Sequence, residues 1–347
     1  MTQANASECQ AHLHPQPTMD PTRYKQLKTQ RGFNYSYYWS PPAPGKPVIF
    51  FAHGFPAGSF LWRKQVPFFK PLGYGLLVPD FLGYGATDKP TDPKVYIGSG
   101  HAHDVVDILD AEGIEKVIAI GHDWGIYPVS RLITYDPQRV AACAFLGGGY
   151  GPPATKSTDR ASRHEAIKKT FGYDAFAYMR FFVQPDAPAI IEEHIDSFIS
   201  LVYPEKLQLW KDHLCVDGGA RKWIESNSLS PLPSYMTPEE KEHLKKALLT
   251  GGITASLCWY RAAVEKVTAE DDAQISPEAV EVKQPLLFVA FTGDILALPI
   301  IGDTTVHAQY AKGPVTRKEI GGDHWGAESH AEELNDILLE WIQGLDS

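Results

Sequence analysis

The sequence predicts an α/β chain: a mostly parallel central sheet flanked by helices, with a helical segment inserted before the last two strands. Three observations point there. Short apolar runs alternate with helix-like stretches from Val48 to Leu146. The alternation stops at 147–153, Gly-Gly-Gly-Tyr-Gly-Pro-Pro, a strong breaker. It resumes with strand-like runs at 285–291 and Val315–Ile320 and a closing helical stretch at 328–343. Strands separated by helices at this spacing need crossover connections, so they lie parallel and are covered on both faces.

Each element has a local reason. Residues 24–30 and 33–39 read as two strands joined by the tight Arg31-Gly32 turn. Val48–Ala52, Gly75–Pro79, 116–120 and Val140–Leu146 are short apolar runs of strand length. Between them, 59–72, 99–112 (stopped by Gly113) and Ile126–Tyr135 carry helical patterning. From Ala154 to about Ala273 the sequence is helix-like and aromatic-rich, with little that reads as a buried strand. The expected division is therefore a core of 1–150 and 274–347 with a helical lid of 151–273. The polar, proline-dotted residues 1–20 are expected to form a loose tail.

Composition narrows the function. The chain has 347 residues, 44% apolar and 21% charged, which suits a soluble protein with a sizeable core. Lys+Arg 32 against Asp+Glu 42 gives a net charge of −10, which argues against a nucleic-acid or membrane-surface partner. No apolar run is long enough to span a bilayer, and no basic and apolar leader opens the chain, so a cytoplasmic location is expected. The glycosylation-type triplets at Asn5 and Asn34 then mean little. Cys9, Cys143, Cys215 and Cys258 form no C-x-x-C pair and are expected as free thiols, Cys143 in the core. Among the histidines only His101 and His103 lie close together. With Asp104 beside them they suggest a solvated or capping role. Neither a metal nor a cofactor is expected.

The strongest chemical signal is 116–125, KVIAIGHDWG. A strand runs through Gly121-His122-Asp123-Trp124-Gly125 straight into a helix. Small residues two before and two after a central polar residue are what a strained strand-to-helix turn needs. Such a turn lifts the central side chain, Asp123, above the carboxyl edge of the sheet. Two further strands end in Thr292-Gly293-Asp294 and Gly321-Gly322-Asp323-His324, on the same edge. The chain order is thus nucleophile Asp123, acid Asp294, base His324. After the first parallel strand, His53-Gly54-Phe55-Pro56 can present the Phe55 N–H beside that of Trp124 as an oxyanion hole, with no proton-transfer role for His53.

Together with Pro79-Asp80-Phe81-Leu82-Gly83-Tyr84-Gly85 and Asp323-His324-Trp325, these motifs resemble the soluble epoxide hydrolases of the α/β-hydrolase superfamily. The resemblance runs from about residue 24 to the end. It implies an α/β-hydrolase fold with a helical cap inserted after the sixth strand. It also implies two ring-opening tyrosines in the cap: Tyr178, in Tyr178-Met179-Arg180-Phe181-Phe182, and Tyr260, in Cys258-Trp259-Tyr260-Arg261. The other lid tyrosines, Tyr173, Tyr203 and Tyr235, lack those settings.

The elbow residue decides the chemistry. An aspartate attacking an acyl group would give a mixed anhydride, whereas attack on an sp³ carbon gives an alkyl ester that activated water can hydrolyse. The expected partners are a small epoxide and water, and an exposed lid face could support a homo-oligomer. A haloalkane dehalogenase uses the same nucleophile, and the Asp88-Lys89-Pro90 segment resembles one as much as an epoxide hydrolase. The two tyrosines, and the lack of a halide-binding Trp or Asn next to His53-Gly54, stand against it. A binding-only receptor on this fold would not need to keep all three triad residues. Asp80 is expected to hold its loop, Asp303 to be a surface charge, and Ile126 to keep the elbow helix slightly farther from the sheet.

Overall fold

The computed structural model describes residues 19–153, 160–305 and 310–346. Asn5, Cys9 and nearly all of the expected tail lie outside the described residues. Eight strands form one sheet: β1 Tyr24–Lys28, β2 Asn34–Ser40, β3 Val48–Ala52, β4 Gly75–Pro79, β5 Val117–His122, β6 Val140–Leu146, β7 Leu286–Phe291 and β8 Val315–Ile320. Their spatial order is β1-β2-β4-β3-β5-β6-β7-β8. The pairs β1/β2 and β2/β4 are antiparallel, and every later pair is parallel.

Sequence explains position in the sheet. β3, β4, β5 and β7 are buried at every residue, as parallel strands covered on both faces must be. The two edge strands are the charged ones, β1 with Lys25 and Lys28 and β8 with Arg317, Lys318 and Glu319. Charge along an edge discourages pairing with another chain. The β1–β2 hairpin turns at Gly32, whose φ of 89° favours glycine.

Between β6 and β7 the described residues form helices and turns without a strand of the sheet, including Arg160–Phe171, Met179–Phe182, Ile195–Val202, Pro238–Leu249 and Thr254–Val264. Buried ion pairs tie this stretch to the sheet layer. Arg131 grips Asp272 through two hydrogen bonds of 2.8 and 2.7 Å, and Arg63 joins Glu240 to Glu328 at 2.6 and 2.7 Å. No helix among the described residues is long and apolar enough to cross a membrane.

Three expectations need correction. The helix expected over 59–72 is a 3₁₀ turn (Gly58–Arg63), a short α-helix (Val66–Phe69) and another 3₁₀ turn (Lys70–Leu72). Pro67 and Pro71 lack the N–H groups a continuous helix would use. The helix expected over 328–343 is divided into Gly326–Ser329 and Ala331–Gln343, because His330 leaves helical geometry at φ −124°, ψ 40°. His101 is neither solvated nor a cap. It lies on the buried stripe of Gly98–Ala111 with Val105, Ile108 and Leu109, stacked 4.4 Å from Trp259. Burial, then Arg31, pushes its pKa far down, so it sits in the core as a neutral ring. His103 remains exposed. Cys143, Cys215 and Cys258 are free and buried.

Candidate active site

The turn after β5 is built by its glycines. A Cβ on Gly125 would lie 2.0 Å from the Ala52 carbonyl oxygen, and one on Gly121 would lie 2.6 Å from the Gly125 oxygen. Side chains at either position would force β5 away from β3 or from the following helix. That crowding holds Asp123 at φ 52°, a left-handed value rare outside glycine, and aims its carboxylate off the sheet edge. Ile126 follows the elbow with its side chain directed toward the segment after β6. Its side chain turns to Gly148, where a Cβ would lie 2.8 Å from Ile126 Cδ1.

The two oxygens of Asp123 face different partners. Oδ1 accepts the Phe55 N–H at 2.8 Å, and the Trp124 N–H also bonds the carboxylate. Oδ2 lies 3.5 Å from His324 Nε2. Gly54 allows this approach, since a Cβ there would fall 2.2 Å from Asp123 Oδ1. His53 supports the loop from beneath, accepting the Phe81 N–H at 3.0 Å through Nε2 while Nδ1 meets the Gly54 carbonyl at 2.9 Å. Asp80 accepts the Ser59 N–H at 2.8 Å, a loop-holding contact.

His324 sits at the end of β8, with Nδ1 2.7 Å from Asp294 Oδ2. Asp294 Oδ1 in turn accepts the Leu296 and Ala297 N–H groups at 2.8 and 3.0 Å, which fixes the carboxylate's rotation. Asp303 pairs with Arg317 at 2.6 Å, outside this group.

Burial and charge oppose each other here. Burial alone would raise both Asp123 and Asp294, but the His324 charge and hydrogen bonds hold both below the usual carboxylate range. Burial would likewise lower His324, but the Asp294 charge and the bonds to Asp123 and Asp294 raise it well above the ordinary imidazole value. His122, missed by the sequence analysis, is a second buried imidazole whose ring centroid lies 5.0 Å from that of His324. Its Nε2 lies 2.7 Å from the His324 carbonyl, and burial pushes its pKa down to about 4. A neutral ring in that position donates Nε2–H and holds the His324 backbone.

Tyr178 caps the start of Met179–Phe182 and Tyr260 lies within Thr254–Val264; their ring centroids are 6.0 Å apart at 83°. Tyr260 also packs edge-on against Phe55 and Trp124, at 5.2 and 5.1 Å. Burial, aided by the Asp123 charge, raises both phenols far above their ordinary value, so each keeps its proton. Together with Phe55, Asp123 and His324 they border one small chamber of about 30 Å³. All seven residues singled out from the sequence therefore meet at one place. Of the other lid tyrosines, Tyr173 donates to the Ile295 carbonyl at 2.8 Å and Tyr203 stacks 4.1 Å from Trp325, while Tyr235 does not border the chamber.

A family model described as alpha/beta hydrolase fold matches residues 47–204. Epoxide hydrolase A of Mycobacterium tuberculosis is 29% identical to this chain, across 87% of the chain and 92% of that protein. The crystal structure of Epoxide Hydrolase A from Mycobacterium thermoresistibile superposes with a TM-score of 0.71 at 26% identity, over 92% of this chain and 98% of that one. The chain has the α/β-hydrolase fold, and over most of its length it is similar to epoxide hydrolases. Epoxide hydrolase 3 of Siraitia grosvenorii is 32% identical over 62% of this chain and 66% of that protein. An epoxide hydrolase structure from Vigna radiata, at 21% identity, covers 92% of this chain and 98% of its own with a TM-score of 0.73, a likeness of fold. With these enzymes as its relatives, the chain is an enzyme.

Proposed function

We propose that the protein converts an epoxide and water to a vicinal diol through a covalent ester on Asp123. The observation that carries the proposal is the asymmetry of the Asp123 carboxylate. Oδ1 is tied to the Phe55 N–H at 2.8 Å, while Oδ2 faces His324 and the tyrosine-lined chamber.

Oδ2 attacks an epoxide carbon, and the ring C–O bond breaks. The departing alkoxide is strongly basic and takes a proton from a phenol, supplied by Tyr178 and Tyr260. The resulting ester is neutral. His324 thereby loses the Asp123 hydrogen bond and charge, two of the influences that raise its pKa. Its pKa therefore falls, which leaves the neutral ring available as the base, while Asp294 still holds Nδ1–H and leaves Nε2 free.

His324 then takes a proton from water, and the hydroxide adds to the ester carbonyl carbon. The oxyanion forms on Oδ1, where the Phe55 N–H already points, with the Trp124 N–H also bonded to this carboxylate; each such donor is worth roughly 3 kcal/mol. Collapse expels the diol oxygen, which takes the proton from His324. As Asp123 returns to carboxylate, the proton released restores the tyrosine. Epoxide and water are consumed, and one diol leaves.

The test is a product panel. Aryl and terminal epoxides scored as diol, and haloalkanes scored as halide, are offered to the purified protein and to Asp123→Ala. Diol without halide, absent in the variant, supports the proposal. Halide without diol would make the tyrosines packing residues and the protein a dehalogenase, and neither product from folded protein would favour a binding-only role.

A further inference from the structure

Two cavities of unequal size meet over Asp123. The chamber under the tyrosines holds about 30 Å³, while a slot of about 240 Å³ leads away from Asp123 and His324 between the segments that follow β6 and β7. Asp123, Tyr178, Leu296 and His324 border both, so the reacting atoms lie where the cavities join. A cavity needs on the order of 10–15 Å³ by this measure for each water-sized group. The chamber therefore accommodates two or three such groups, about a three-membered ring and no more.

The far wall of the chamber is closed and stiff. Phe182, Trp210 and Leu214 form it, each at most 3% exposed. The Trp210 indole donates to the Leu201 carbonyl at 2.7 Å, and that of Trp325, beside it, donates to the Val202 carbonyl at 2.9 Å. Swinging either ring aside would leave a buried N–H unpaired. The slot is roomier by contrast, about 240 Å³. Gly148 and Gly149 give it a wall of bare backbone, and Phe176, Leu296 and Ile301 make it apolar.

We infer that the substrate is a terminal epoxide carrying a single apolar arm, with the ring in the chamber and the arm in the slot. This rests on the epoxide hydrolase activity proposed above. An epoxide with a bulky group on each carbon has nowhere to place the second group, because the closed side has neither the volume nor the freedom to admit it.

The experiment compares styrene oxide, trans-stilbene oxide and propylene oxide with the full chain and two variants. Neither variant alters a residue that bonds to the reacting groups. Leu214→Ala enlarges the closed side, and Ile301→Trp narrows the slot. The wild type is expected to prefer styrene oxide over trans-stilbene oxide by about 100-fold or more in kcat/KM, the discrimination a hydrophobic pocket of fixed size gives against excess bulk. Leu214→Ala should reduce that preference about tenfold, and Ile301→Trp should cost about tenfold on styrene oxide while sparing propylene oxide. Equal turnover of styrene oxide and trans-stilbene oxide would overturn the one-arm inference and leave epoxide hydrolysis standing. So would a preference that neither variant moves. Failure of folded wild type to open any of the three would overturn the activity itself.

Discussion

His324 Nδ1 lies 2.7 Å from Asp294 Oδ2, and Asp294 is itself held by two backbone N–H groups through its other oxygen. The acid is thus fixed before the base, and the base before the nucleophile. In the proposed mechanism its role is to keep the proton on Nδ1 so that Nε2 can accept one. Asp294→Asn preserves shape but can donate to Nδ1, which selects the wrong tautomer. Turnover should fall by about 10⁴-fold, with the loss in ester hydrolysis and not in ring opening. Stopped-flow and single-turnover product analysis would separate the steps; an equal loss in both would contradict this role.

The same pair sets a pH dependence of stability. His324 is raised above its ordinary value of 6.5, so its contribution is full below that pH and is lost as pH rises through the raised value. Asp294 is lowered below 3.8, so its contribution is present above that pH and is lost as pH falls through the lowered value. The stability gap between wild type and Asp294→Asn should therefore be widest between about pH 4 and 6.5 and shrink on both sides. Urea midpoints measured across pH test this, and a gap independent of pH would refute the coupling.

In the proposed mechanism Tyr178 and Tyr260 divide one task. Each single change to Phe should slow ring opening by about tenfold or more, and the double change by about 10³-fold, since proton donation to a departing alkoxide contributes on that scale. The Asp294–His324 step should keep its rate once the ester has formed. A double variant with full ring-opening rate would remove the tyrosines from the mechanism.

The elbow depends on bare backbone. Gly125→Ala places a carbon 2.0 Å from the Ala52 carbonyl oxygen and should cost about 3 kcal/mol or more. Gly321→Ala meets nothing within 4 Å and should change stability by no more than about 0.5 kcal/mol. Thermal unfolding of the two variants side by side decides it, and equal melting temperatures would contradict the packing argument.

What the sequence made legible follows from the range of the forces involved. The strand runs Val140–Leu146 and Val315–Ile320 and the helix Ile126–Tyr135 match the structure end to end, because their patterning and boundaries are local. Asp123, Asp294 and His324 were legible because each follows a strand at the same edge of a parallel sheet. His101 was misjudged because its burial depends on Trp259, far away in the chain, and a lone histidine carries no sign of which face it occupies. His122 was passed over for a related reason, since its partner is a backbone carbonyl 202 positions on. The closed wall made by Trp210 and Leu214 arises only from how the lid packs on the core, and no pattern near those residues announces it.

The central claim is the covalent ester on Asp123, and its most direct test is intact mass spectrometry of His324→Gln mixed with styrene oxide. Without its base the enzyme should still be alkylated, giving a mass increase equal to one substrate molecule that maps to the peptide holding Asp123 and is absent in the double variant with Asp123→Ala. A folded His324→Gln protein that binds substrate and never gains that mass would contradict the account.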